Sequence, residues 1–148
     1  MTTVKIQREV QKVKDIERMI LQARLSRKEG AMFEFAKLLW MMKNEKLYQS
    51  LGFETFRDWF YTWGFPRQTI YSWLNIHATF VVNLDFTKQE LQQFEVRILK
   101  ALLPVARSGA ITKEKLAKVM INARSKEFGK FLELLPEIKR SFGLKKKS

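Results

Sequence analysis

Only six Gly and three Pro are spread through 148 residues, and this scarcity of turn-formers constrains the fold more than any other feature. A β-sandwich or barrel turns about every 8–12 residues and uses Gly, Pro and Asn-Gly pairs to do so. Long uninterrupted stretches at helical spacing are what remain, so the fold class expected is all-α. Length sets the scale at one domain, or a compact domain with an arm. Twelve Phe, four Trp and three Tyr, within a hydrophobic fraction of 46%, supply a core and argue against wholesale disorder.

Several chemistries are excluded by what is missing. The chain has no Cys, which removes disulfides, thiolate zinc sites, iron–sulfur clusters and a cysteine nucleophile. A lone His77 cannot build a multi-histidine metal site. Its spacing puts it on an apolar face beside Trp73 and Leu74, as a packed histidine and not a general base. The three Asp residues, Asp15, Asp58 and Asp85, form no metal-binding pattern, and there is no Gly-rich phosphate loop. No metal, cofactor or small-molecule substrate is expected, and the chain reads as a non-enzyme. The N-terminus MTTVKIQREV lacks an apolar secretory core, and no run of about 18 apolar residues could span a bilayer. A cytoplasmic location without a membrane partner is the expectation.

Residues 1–29 are expected to form an N-terminal helical arm, 30–142 a helical domain, and 143–148 a basic tail. Within the arm Ile6, Val13 and Ile20 recur every seven residues, with Ile16 and Ala23 at the intermediate heptad positions. Such a seam serves either to pair two chains or to pack on its own domain. Gly30 breaks the pattern. From Ala31 to Gln49 the apolar residues are too dense for one exposed stripe, as in a central core helix. Thr87 and Glu90 have capping-box spacing, opening a helix to about Ala106 that Pro104 bends or ends early. Ser108-Gly109-Ala110 turns the chain. Thr112 caps a helix through Ala123, and Ser125 caps a last one to about Phe142.

Between Phe53 and Val82 the parts of a helix-turn-helix follow in order. A short helix carries Phe56, Trp59 and Phe60 inward. Thr62-Trp63-Gly64-Phe65 makes a tight turn, and Pro66 opens a second helix, where its missing N–H costs nothing. On that second helix Ile70, Trp73, Leu74 and His77 face the core. Arg67, Gln68, Tyr71, Ser72 and Asn75 face outward, with Thr69 at the border. Those types suit base reading, because Arg pairs bidentately with guanine and Gln or Asn with adenine. The same positions also describe the solvated face of an ordinary helix.

The stretch SLGFETFRDWFYTWGFPRQTIYSWLNI resembles a segment of DNA-binding proteins from phages, plasmids and integrative elements. Those proteins are similar in style to the central region of ParB-type partition proteins. The later VRILKALLPVARSGAITKEKLAKVMINARSKEFGKFL resembles their downstream part, so the likeness spans about residues 31–132. Pro66 stands where such proteins often carry a Ser or Thr cap. No ParB-type nucleotide-binding motif is present, so the resemblance implies DNA binding and not a nucleotide-driven clamp. Carried over, it implies base reading by Arg67, Gln68, Tyr71 and Ser72, with Asn75 one turn further along.

Charge agrees with that partner. Lys and Arg total 28 against 15 Asp and Glu, a net of +13, as expected of a protein that sits on phosphates. Arg107, Lys113, Lys115 and Lys118, flanking a turn and a helix start, are candidate phosphate contacts, as are Lys145, Lys146 and Lys147 in the tail. The expectation is therefore a dimeric, sequence-specific binder of double-stranded DNA, acting by site occupancy in transcription, replication or partition. The alternative is an adaptor or inhibitor that docks proteins through its aromatic middle. RNA binding ranks third, because most aromatics sit at core spacing. Burial separates the first two. Exposure of Tyr61, Trp63 and Phe65 on one patch favours docking, and their packing beneath a projecting Arg67, Gln68 and Tyr71 favours DNA.

Overall fold

A computed structural model describes residues 3–28 and 30–144. The described residues are all-helical, with no strand among them. In order they form α1 (Thr3–Leu25), α2 (Ala31–Asn44), a 3-10 turn (Leu47–Leu51), α3 (Phe56–Thr62) and α4 (Arg67–Ile76). A π-helical stretch (His77–Asn83), α5 (Lys88–Leu91), α6 (Val96–Arg107), α7 (Lys113–Arg124) and α8 (Phe128–Ser141) complete the chain. The contacts divide it into two compact units, Met1–His77 and Ala78–Ser148.

In the first unit α2 is the central element, as its apolar density requires. Phe35, Ala36, Leu38, Leu39 and Met42 are buried along it, and α1 and α4 both pack on it. The heptad positions Val13, Ile20 and Ala23 of α1 are buried by the chain itself, whereas Ile6 stays exposed. Those buried positions are therefore unavailable to a second chain. The single helix expected to reach Gln49 stops at Asn44. Lys46 takes a left-handed φ of 52°, which swings Tyr48 back into the core, 6.3 Å from Phe56.

Helix α3 is capped by Thr55, whose hydroxyl accepts from the Asp58 N–H at 3.0 Å. Phe56, Trp59 and Phe60 are its buried face. Gly64 then takes φ 68°, the left-handed turn conformation that an L side chain resists. Pro66 occupies the cap position just before α4, with an extended ψ of 131°, not the first helical position itself. Ile70, Trp73, Leu74 and Ile76 are buried on α4. The helix expected to run on to Val82 widens into a π-turn after Ile76, which allows the adjacent Thr79 and Phe80 both to be buried.

In the second unit the Thr87–Glu90 capping box forms in both directions, at 2.9 and 3.1 Å. The single helix expected from it is interrupted. Helix α5 ends at Leu91, and α6 restarts at Val96 after an extended Glu95. The break brings Phe94 under Arg124, 5.4 Å from ring centre to guanidinium carbon, while Arg124 also donates to Gln93 at 3.1 Å. Pro104 lies inside α6 and does not end it. Pro104 and Lys100, whose carbonyl loses its usual partner, are both exposed, so water can satisfy that group. Thr112 caps α7 as expected, accepting from Lys115 N–H at 3.3 Å. Ser125 does not cap α8. Its hydroxyl donates to the Asn122 carbonyl at 2.7 Å, closing α7, and Glu127 precedes α8.

Candidate nucleic-acid interface

The outer face of α4 begins where no side chain caps the helix, because Pro66 has no acceptor to offer. Early N–H groups of such a helix point outward with a partial positive charge, and Arg67 sits in that first turn. Arg67, Gln68 and Asn75 are exposed, while Thr69, Tyr71 and Ser72 are half-buried. Spacing places Gln68, Tyr71, Ser72 and Asn75 on one face.

Tyr71 is held from several sides. Its ring meets Phe60 edge-on at 6.0 Å. The Arg67 guanidinium carbon lies 5.6 Å and the Lys43 ammonium 5.7 Å from its centre. A ring so fixed is a platform that positions cations, each contact contributing about 0.5–1 kcal/mol at an exposed site. Beside it, Arg57 lies 5.0 Å from the Tyr61 ring and donates to the Tyr61 hydroxyl at 2.9 Å. Tyr61 in turn packs on Phe60 at 5.3 Å. Phe60 thus links both tyrosines, and with them Lys43, Arg57 and Arg67. Among the described residues none of these three cations pairs with a carboxylate.

Lys43 and Arg57 do not stand out in the sequence pattern of α4. Each lies on a different helix from Tyr71, and only tertiary packing brings them together. Its place as the basic residue in the last turn of α2 is the one sequence signal that could single out Lys43.

The aromatic discriminators divide. Tyr61 is 50% and Trp63 38% exposed, but Trp63 donates its indole N–H to Glu17 at 3.0 Å. Phe65 is half-buried between Phe35, 5.8 Å away, and Trp59, 6.4 Å away. The three therefore do not form one exposed patch.

The phosphate candidates lie in the second unit. Arg107, Lys115 and Lys118 are exposed. Lys113 is engaged, donating to Glu90 Oε1 and to the Asp85 carbonyl at 3.0 Å each, with Phe86 5.2 Å away. Lys145, Lys146 and Lys147 lie outside the described residues.

His77 is buried, its ring 5.7 Å from that of Trp40. Burial holds its pKa below the ordinary 6.5, Lys37 lowers it further, and Glu34 opposes the shift. The described residues contain no cluster of three or more potential metal ligands. No helix among them is long and apolar enough to cross a membrane. Compared with known proteins, the chain matches no family model, no curated protein and no solved structure.

Proposed function

We propose that this chain is a sequence-reading, double-stranded DNA-binding protein that acts by occupying its site. In this reading α3, the Gly64 turn and α4 work as a helix-turn-helix. The observation that carries it is the group of three cations, Lys43, Arg57 and Arg67, held on tyrosine rings without a carboxylate partner beside the uncapped start of α4. Arg67 and Gln68 would reach base edges, and Asn75 would extend the contact by two turns. Lys43 and Arg57 would grip phosphates and fix the register. Tyr71 belongs to the platform more than to the reading set, because its ring is already committed to packing.

Pairing of two chains would bring two such helices to half-sites about one helical turn apart. With Val13 and Ile20 buried in each chain, that pairing would have to use another surface than the α1 seam. A mobile-element role in transcription, replication or partition would follow from the sequence resemblance. Exposure of Tyr61 and Trp63 supports the second reading, an adaptor that docks proteins through this region.

Selection of bound sequences from a random duplex pool, near physiological salt, tests the proposal. An enriched motif that Arg67→Ala relaxes by about 1–3 kcal/mol of discrimination supports α4 as the reader. Retention without enrichment would leave only phosphate binding, and no retention would move the reading to the adaptor.

A further inference from the structure

Helices α7 and α8 both pack on α6. Residues of both line a groove of about 70 Å³, the apolar Val119, Ala123, Phe131, Leu134 and Ile138 with the polar Asn122 and Lys126. An apolar cavity of roughly twice that volume holds benzene, so this one accepts a single small aliphatic group. Phe131 is the one residue that α8 buries completely. Leu134 is 38% exposed, and Val119 and Ile138 are half-buried. The floor is mainly apolar and open to water.

The rim is basic. Lys115 and Lys118 lie one turn before Val119 and Asn122, and Lys130 one turn before Leu134, so each shares the groove face of its helix. These three and Lys126 are exposed. Among the described residues none of the four pairs with a carboxylate. Glu127, one turn before Phe131, and Glu137, about one turn beyond Leu134, are the acidic residues of the rim, against four lysines.

We infer that this groove docks an acidic amphipathic segment of a partner protein. An aliphatic side chain of that segment seats on Leu134, Ile138 and Val119, and its carboxylates meet the rim lysines. Charge disfavours a second copy of this chain, whose matching face carries four lysines against Glu127 and Glu137. The apolar floor decides against nucleic acid, since phosphates gain nothing from Leu134 and Ile138. Amphipathic helices in apolar grooves are recognised through anchors at i, i+3, i+4 and i+7. The inference is independent of DNA reading by α4.

The test uses the full chain and a fluorescein-labelled acidic peptide with Leu at that spacing and Asp or Glu elsewhere. Anisotropy at about 0.15 M salt measures binding, and methyl NMR locates it. The expected result is saturable binding, with shifts centred on Val119, Ala123, Leu134 and Ile138. Leu134→Asp and Lys126→Glu should each weaken it about tenfold or more, and a scrambled peptide of equal charge should bind about tenfold worse. Thermal melts separate folding from binding, and if Leu134→Asp lowers Tm, Lys126→Glu carries the test alone. Absence of saturable binding overturns the inference, as does equal binding of the scrambled peptide, which would mean charge attraction only. So does a shift of the same methyl groups by duplex DNA, or a concentration-dependent dimer that covers Leu134.

Discussion

The fully buried indole of Trp59 donates its Nε1–H to a carboxylate oxygen of Glu17, 2.8 Å away and 42 residues earlier in the chain. Trp63 donates to the same oxygen at 3.0 Å, so one carboxylate fastens α1 to α3 and to the turn that leads into α4. A buried N–H stripped of its acceptor costs about 1–3 kcal/mol. Glu17→Ala is expected to destabilise the first unit by about that amount, and Glu17→Gln, which keeps a carbonyl oxygen, by less. Urea unfolding followed by tryptophan fluorescence measures both. An unchanged midpoint for Glu17→Ala would show that α1 is held by its apolar face alone.

His77 gives the first unit a pH dependence of definite sign. Its pKa is lowered in the folded chain, chiefly by burial, so the unfolded chain binds the proton more readily. Stability from the neutral imidazole is fully present above about 6.5 and is lost as pH falls from there through the folded value. Melts between pH 7.5 and 5 should therefore show a decline that His77→Phe reduces. A decline of equal size in that variant would assign the effect to other groups.

Local chemistry made much of this architecture legible. Thr87 with Glu90, Thr112 before α7 and Gly64 in its turn are short-range devices, and each forms as its residue types require. The buried face of α4 followed from 3.6-residue spacing for the same reason. Boundaries decided by tertiary packing were not legible. Phe94 leaves the expected helix to meet Arg124, Lys46 accepts a left-handed backbone so that Tyr48 can be buried, and the π-turn buries Thr79 beside Phe80. The candidate site divides similarly. Arg67 and Gln68 are visible from the α4 pattern, whereas Lys43 and Arg57 join them only through Tyr71, Phe60 and Tyr61.

The turn between α3 and α4 depends on Gly64. A Cβ built there meets nothing within 4 Å, so crowding adds no cost and the left-handed φ of 68° is the whole penalty. Gly64→Ala is expected to cost about 1–2 kcal/mol, and Gly64→Asn less, because Asn tolerates this conformation. Chemical denaturation of the two variants gives the ranking directly. Equal costs would mean that the turn relaxes to another backbone conformation when substituted.

Two lysines of α7 that look alike in sequence should behave differently. Lys113 is bound to Glu90 and Asp85, whereas Lys118 is exposed with no carboxylate partner among the described residues. The Glu90 carboxyl is held below its ordinary pKa first by the Thr87 N–H and then by Lys113. Lys113→Ala should move that pKa up, seen by carboxyl NMR titration, so that the capping box is lost at higher pH on acidification. If α7 contributes phosphate contacts, which would count against an acidic partner at the same face, Lys118→Ala should lower the salt slope of duplex binding by about one, and Lys113→Ala should leave it unchanged. A salt slope that responds to Lys113 and not to Lys118 would mean that phosphate displaces Glu90 from the lysine, reversing the two roles.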